Sequence, residues 1–119
     1  MDYTNNSGLA INNEAIVQIA GMAALEVEGV AGLDKRPIEL KNIKSLVSGA
    51  RNAHSKSIGF STDNGAIILD VFISVYDTSK VITVAEAVQK NVKEKVQNMT
   101  GNAVAKVDVH VENLITKTE

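Results

Sequence analysis

The sequence predicts an α+β fold, a two-layer sandwich in which a mixed sheet carries two main helices on one face. Three observations predict it. Apolar residues recur at helical spacing in two stretches, 13–28 and 83–99, and alternate at period two in 66–76 and 103–111. An Asn64-Gly65 pair, which readily takes positive φ, sits between two strand-like runs as a hairpin turn. The resulting order is strand, helix, short strand, variable segment, hairpin, helix, strand. Strands outnumber helices and do not alternate with them regularly, which disfavours a doubly wound parallel sheet.

Each element has its own signals. Residues 1–7 are polar and read as a tail, and Gly8-Leu9-Ala10-Ile11 as a short edge strand. Asn12 or Asn13 can cap a helix reaching about Glu28, with Ile16, Ile19, Ala20, Ala23 and Val27 as its buried stripe. Gly29 to Leu33 ends that helix and leads into a short strand. Pro37 breaks structure in the next segment, where Ile38, Leu40, Ile43, Leu46 and Val47 support a short helix over 40–50.

Ser57–Thr62 and Ala66–Tyr76 are the hairpin strands. One face of the second carries Ile67, Leu69, Val71, Ile73 and Val75, and the other the mixed set Ile68, Asp70, Phe72, Ser74 and Tyr76. Thr83 and Glu86 form a capping box opening the second helix, whose stripe is Ala85, Val88, Val92, Val96 and Met99 and which Gly101 ends. The last strand, from Ala103 to Glu112, is apolar at odd positions and polar at Lys106, Asp108, His110 and Glu112. Residues 8–114 thus read as one domain, flanked by tails at 1–7 and 115–119.

Composition narrows the chemistry. At 119 residues the chain is long enough for a core without staples, and with aromatics at 3% that core is built from Val, Ile, Leu and Ala. The absence of cysteine excludes disulfides, thiolate nucleophiles and thiolate metal sites. A net charge of −2 gives no global reason to expect nucleic acid. The first residues lack the basic and apolar regions of a secretory signal, and no stretch approaches the roughly 18 apolar residues of a membrane helix. These features predict a soluble chain with no direct membrane insertion, one that something else must bring to a membrane if it works there.

Four features are candidate sites. Asp108, His110 and Glu112, with Asp70 and Ser74 beside them, could bind zinc or move protons, yet polar alternation is also what a solvated sheet face looks like. No HExxH helix and no nucleophile elbow accompanies them. Gly29-Val30-Ala31-Gly32 follows a helix instead of opening one and matches no phosphate-loop pattern, so its glycines read as turn residues. Residues 34–56 hold six cations against two anions. Lys35, Arg36, Lys41, Lys44 and Arg51 form a candidate contact segment for RNA or anionic lipid, although GXXG and RNP-like patterns are absent and a solvated loop explains the same residues. His54 lies within it, without an obvious partner. Finally, Gly21 and Ala24 make one side of the first helix slim, for close intrachain packing or for a sister subunit. They join Phe72 and Tyr76 as candidate interaction surfaces.

Three blocks carry a family resemblance: Ile11 to Ala20 through Gly29-Val30-Ala31-Gly32-Leu33; the hairpin strand ending Val75-Tyr76; and Val96-Gln97-Asn98-Met99-Thr100-Gly101 through Val107-Asp108-Val109-His110-Val111. The chain resembles the alkaline-shock protein family of Gram-positive bacteria, and the last block is the most specific. It departs from the family pattern at Thr83, where members commonly have proline, and in its basic segment. The resemblance implies a cytoplasmic, non-enzymatic protein of cell-envelope stress and homeostasis that self-associates and meets a partner, in some members a membrane anchor. It supplies no catalytic residue, cofactor or metal. Other readings are a nucleic-acid-binding module on the basic segment, a regulator linked to acetyl-CoA carboxylase and fatty-acid synthesis, and a metal enzyme built on Asp108, His110 and Glu112.

Overall fold

The computed structural model describes residues 12–35 and 57–117. Helix α1 (Asn13–Leu25) leads to strand β1 (Val30–Leu33). The hairpin strands β2 (Ile58–Asp63) and β3 (Ala66–Tyr76), helix α2 (Val81–Thr100) and strand β4 (Val104–Ile115) follow. The edge strand expected at Gly8–Ile11, the helix expected over 40–50, His54, and Arg36, Lys41, Lys44 and Arg51 lie outside the described residues.

Strand β3 organises the sheet because, among the described residues, it alone has partners on both edges. β1 and β2 share one edge end to end, both antiparallel, while β4 runs parallel along the other. The sheet is therefore mixed. At the seam, Phe72 C=O accepts from Asp34 N–H at 2.7 Å, and Phe72 N–H donates to Ser57 C=O at 3.0 Å. The hairpin turn is the expected one, with Asn64 at φ 52° and Gly65 at φ 82°.

Both helices pack on one face of the sheet. Ile67, Leu69, Val71, Ile73 and Val75 point into that layer and are fully buried. Each such side chain contributes about 1.5–3 kcal/mol of hydrophobic stabilisation. Opposite them stand Val84, Val88, Val92 and Val96 of α2, with Ile16, Val17, Ala20, Ala23 and Ala24 of α1. Small residues on α1 let the two helices lie close, and Asn91 of α2 donates to Ala23 C=O at 2.7 Å.

Local chemistry sets the element ends. Asn12 caps α1, its side chain accepting from Ala15 N–H at 2.8 Å. That helix stops at Leu25, short of the expected Glu28, and Gly29 follows at φ 100°. For α2 the expectation is corrected. The helix starts at Val81, with Lys80 at the N-cap and no side-chain cap, so Thr83 and Glu86 lie inside it and form no capping box. Val81 is in phase with Val84 and Val88 and packs against the core, which draws the first turn two residues earlier. The buried stripe is accordingly Val84, Val88, Val92 and Val96, and Met99 is exposed. Gly101 closes the helix at φ 74°, its N–H bonding to Gln97 C=O at 2.9 Å.

Strict alternation in β4 is also corrected. Register slips between Ile67 and Ile68 and between Ile73 and Ser74 leave Ala105 and Glu112 as extra residues, so β4 has two bulges. Val104 is consequently buried and Ala105 exposed.

Candidate functional site

The face of the sheet turned away from the helices is covered by no other element among the described residues. It is built from β3 at Ile68, Asp70, Phe72, Ser74 and Tyr76, and from β4 at the residues aligned with them. Phe72 aligns with His110, Asp70 with Asp108 and Ser74 with Asn113. The structure thus brings together four of the five polar residues singled out from sequence. Glu112 falls at the second bulge and has no aligned partner.

Two separate clusters occupy this face. In the first, His110 stacks on Phe72 with ring centroids 4.3 Å apart and planes 12° from parallel. Its Nε2 reaches diagonally to Asp70 Oδ1 at 3.1 Å. Beside it, Lys106 and Asp108 form an ion pair at 3.4 Å. In the second, Asp34 gathers donors from three directions. Ser74 Oγ donates to its Oδ2 at 3.0 Å, Asn113 Nδ2 donates to the same oxygen, and Lys35 N–H donates to Oδ1 at 2.8 Å. These bonds join β1, β3 and β4 across the sheet. The amide of Asn113 foremost, then the Lys35 N–H and the Ser74 hydroxyl, hold the Asp34 carboxyl below the usual aspartate range.

This arrangement limits the chemistry. A serine, a histidine and aspartates share one face, but Ser74 is engaged by Asp34 and His110 by Asp70, so they are not wired as nucleophile, base and orienting acid. Among the described residues, no group of three or more His, Asp or Glu side chains stands where it could hold a metal ion. Of the two readings of Asp108, His110 and Glu112, convergence on one site is opposed by the bulge, which leaves Glu112 without an aligned partner.

The remaining candidates fall elsewhere. Gly21 and Ala24 are buried in the α1 packing surface, where they serve intrachain contact. Phe72 and Tyr76 lie partly exposed on the open face, with Lys117 Nζ 5.3 Å from the Tyr76 ring centroid. Of the basic segment, only Lys35 is described. Sequence reasoning missed Asp34 and Asn113, because a separation of 79 positions hides their contact across Ser74. It also missed a groove of about 410 Å³ between the end of α1 and α2. Glu26, Lys90, Glu94 and Lys95 line it with both signs of charge.

Fold and site together define a small α+β domain with one helix-covered and one open sheet face, the latter tied by its own polar contacts. The chain belongs to the alkaline shock protein 23 family, described by a cell envelope-related function, whose sequence pattern matches residues 1–116. The uncharacterized protein YloU of Bacillus subtilis is 28% identical over 111 residues, covering 93% of this chain and 91% of that protein. YqhY of the same organism, also uncharacterized, is 28% identical over 118 residues, covering 93% and 81%. Among solved structures, the copper form of MamM CTD superposes with a TM-score of 0.52 at 17% identity, covering 90% of this chain and 91% of that one. At that identity the likeness is one of fold. No helix among the described residues is long and apolar enough to cross a membrane.

Proposed function

We propose that this chain is a non-enzymatic interaction domain of cell-envelope homeostasis, acting in the cytoplasm by self-association and by binding an envelope-related protein that brings it to the membrane. The open sheet face is the surface offered to that partner. The observation that carries this reading is the Phe72–His110 stack: a partly exposed aromatic pair at the centre of a face that no other described element covers. Aromatic side chains on a rigid strand present large contact area at low entropic cost, and the surrounding polar groups are already held in place by one another. Tyr76 extends the apolar surface along β3.

The test is a photo-crosslinking amino acid placed at Tyr76 in a Gram-positive host. Crosslinks to an envelope-related protein are expected, and a Phe72→Asp background should abolish them while leaving the circular dichroism spectrum unchanged. Crosslinks made equally from Lys93, on the outer side of α2, or unaffected by Phe72→Asp, would overturn the assignment of this face.

A further inference from the structure

Among the described residues, strand β4 is the outer strand of the sheet and none pairs with its far edge. The direction of its backbone groups follows from β3. Phe72 N–H and C=O and Tyr76 N–H are taken on the β1–β2 side, so the intervening odd residues turn theirs to β4, as Ile67 N–H does to Ala103 C=O at 3.0 Å. In a parallel ladder a residue bonds to the two neighbours of its aligned partner. Leu69, Val71 and Ile73 align with Val107, Val109 and Val111. The N–H and C=O groups of those three valines therefore point outward. Gln89 Nε2 meets the Val107 carbonyl at 3.1 Å, and the outward groups of Val109 and Val111 have no partner among the described residues. The bulges at Ala105 and Glu112 bracket this edge and leave Val107–Val111 as its regular stretch.

Deepening the self-association proposed above, and resting on it, we infer that a second copy of this chain pairs with this edge, antiparallel, about a two-fold axis at Val109. Register and charge select that axis. Val107 then faces the second copy's Val111 and Val109 faces itself, so outward groups meet outward groups, with the Val107 carbonyl sharing or exchanging its Gln89 donor for the second copy's Val111 N–H. On the open face, Asp108 stands opposite His110. With both ring nitrogens carrying hydrogen, His110 donates from Nε2 to Asp70 and has Nδ1–H left for the facing Asp108 carboxylate. Moving the axis one residue toward the N-terminus sets Asp108 against itself. Like charges directly opposite are destabilising, so that register is disfavoured. Moving the axis one residue the other way carries Val107 past the second bulge to Asn113 and shortens the regular pairing. A two-fold contact of this kind closes on itself, giving a dimer and no fibre.

The chain contains no cysteine, so disulfide trapping reads the register directly. Asp108→Cys and His110→Cys proteins are mixed in equal amounts and oxidised, beside each alone. In this register the mixed pair sits opposite, at about 4.5 Å between Cα atoms, whereas either variant alone meets itself only diagonally, at about 7–8 Å. Cross-linked dimer is expected in the mixture and only background in each single sample. Equal cross-linking in the single samples, or none in the mixture, overturns the β4 pairing. Light scattering on the wild-type protein separates the two levels. A monomer at every concentration removes self-association altogether, whereas an oligomer without selective cross-linking removes only this edge.

Discussion

Asp34 and Gly29 show how much single residues carry in a sheet this small. The Asp34 carboxyl accepts from Asn113, Lys35 and Ser74, and its pKa is lowered from the ordinary 3.8 chiefly by the Asn113 amide. A lowered carboxyl pKa contributes stability that is present above the unfolded value and lost as pH falls through the folded one. Urea unfolding of wild type and Asp34→Ala should therefore differ at pH 7, and the gap should close as the pH is taken below the usual aspartate range. A gap independent of pH would mean that Asp34 acts through packing alone. Gly29 lies at φ 100°, and a Cβ there would come within 2.6 Å of the Val84 Cγ2. Gly29→Ala should cost about 2–4 kcal/mol from backbone strain and overpacking together. At Gly32 a Cβ meets nothing within 4 Å, so Gly32→Ala is expected to stay within about 0.5 kcal/mol of wild type by the same urea titration.

At the scale of elements, what was legible in the sequence was whatever a short window contains. The Asn64-Gly65 turn, the α1 cap at Asn12, the Gly101 stop and the two faces of β3 each depend on residues a few positions apart, and all stand as expected. What escaped depends on tertiary contact. The start of α2 is set by the packing of Val81, which outweighs the local appeal of a Thr83–Glu86 box. The bulges of β4 answer to β3, so alternation read along β4 alone missed them. The candidate site divides in the same way. Asp70, Ser74, Asp108 and His110 were legible as one polar face, while the Asp34–Asn113 link was not. Asn91 is a further case: an exposed-looking helix residue whose amide donates to Ala23 C=O at 2.7 Å and to Glu26 Oε1 at 3.2 Å. Asn91→Ala should lower stability by about 1–2 kcal/mol through the lost inter-helix bonds, measurable as a fall in the denaturant midpoint without change in slope.

For the molecule as a whole, one hydrophobic layer does the folding, and among the described residues no element covers the other face of the sheet. Leu69, at the centre of β3 and fully buried, should show this most plainly: Leu69→Ala is expected to cost about 2–5 kcal/mol in the same titration. Phe72, one strand pleat from that layer, should instead be replaceable at little cost to folding while its loss alters binding. That separation between a face that folds and a face and edge that no other described element covers is the basis for proposing that the chain is an interaction domain within its family. Light scattering after gel filtration, across a concentration series at two salt levels, tests it most directly. Concentration-dependent growth from monomer to dimer mass is the expected result. A strict monomer at every concentration and both salt levels would contradict self-association as the way this protein works.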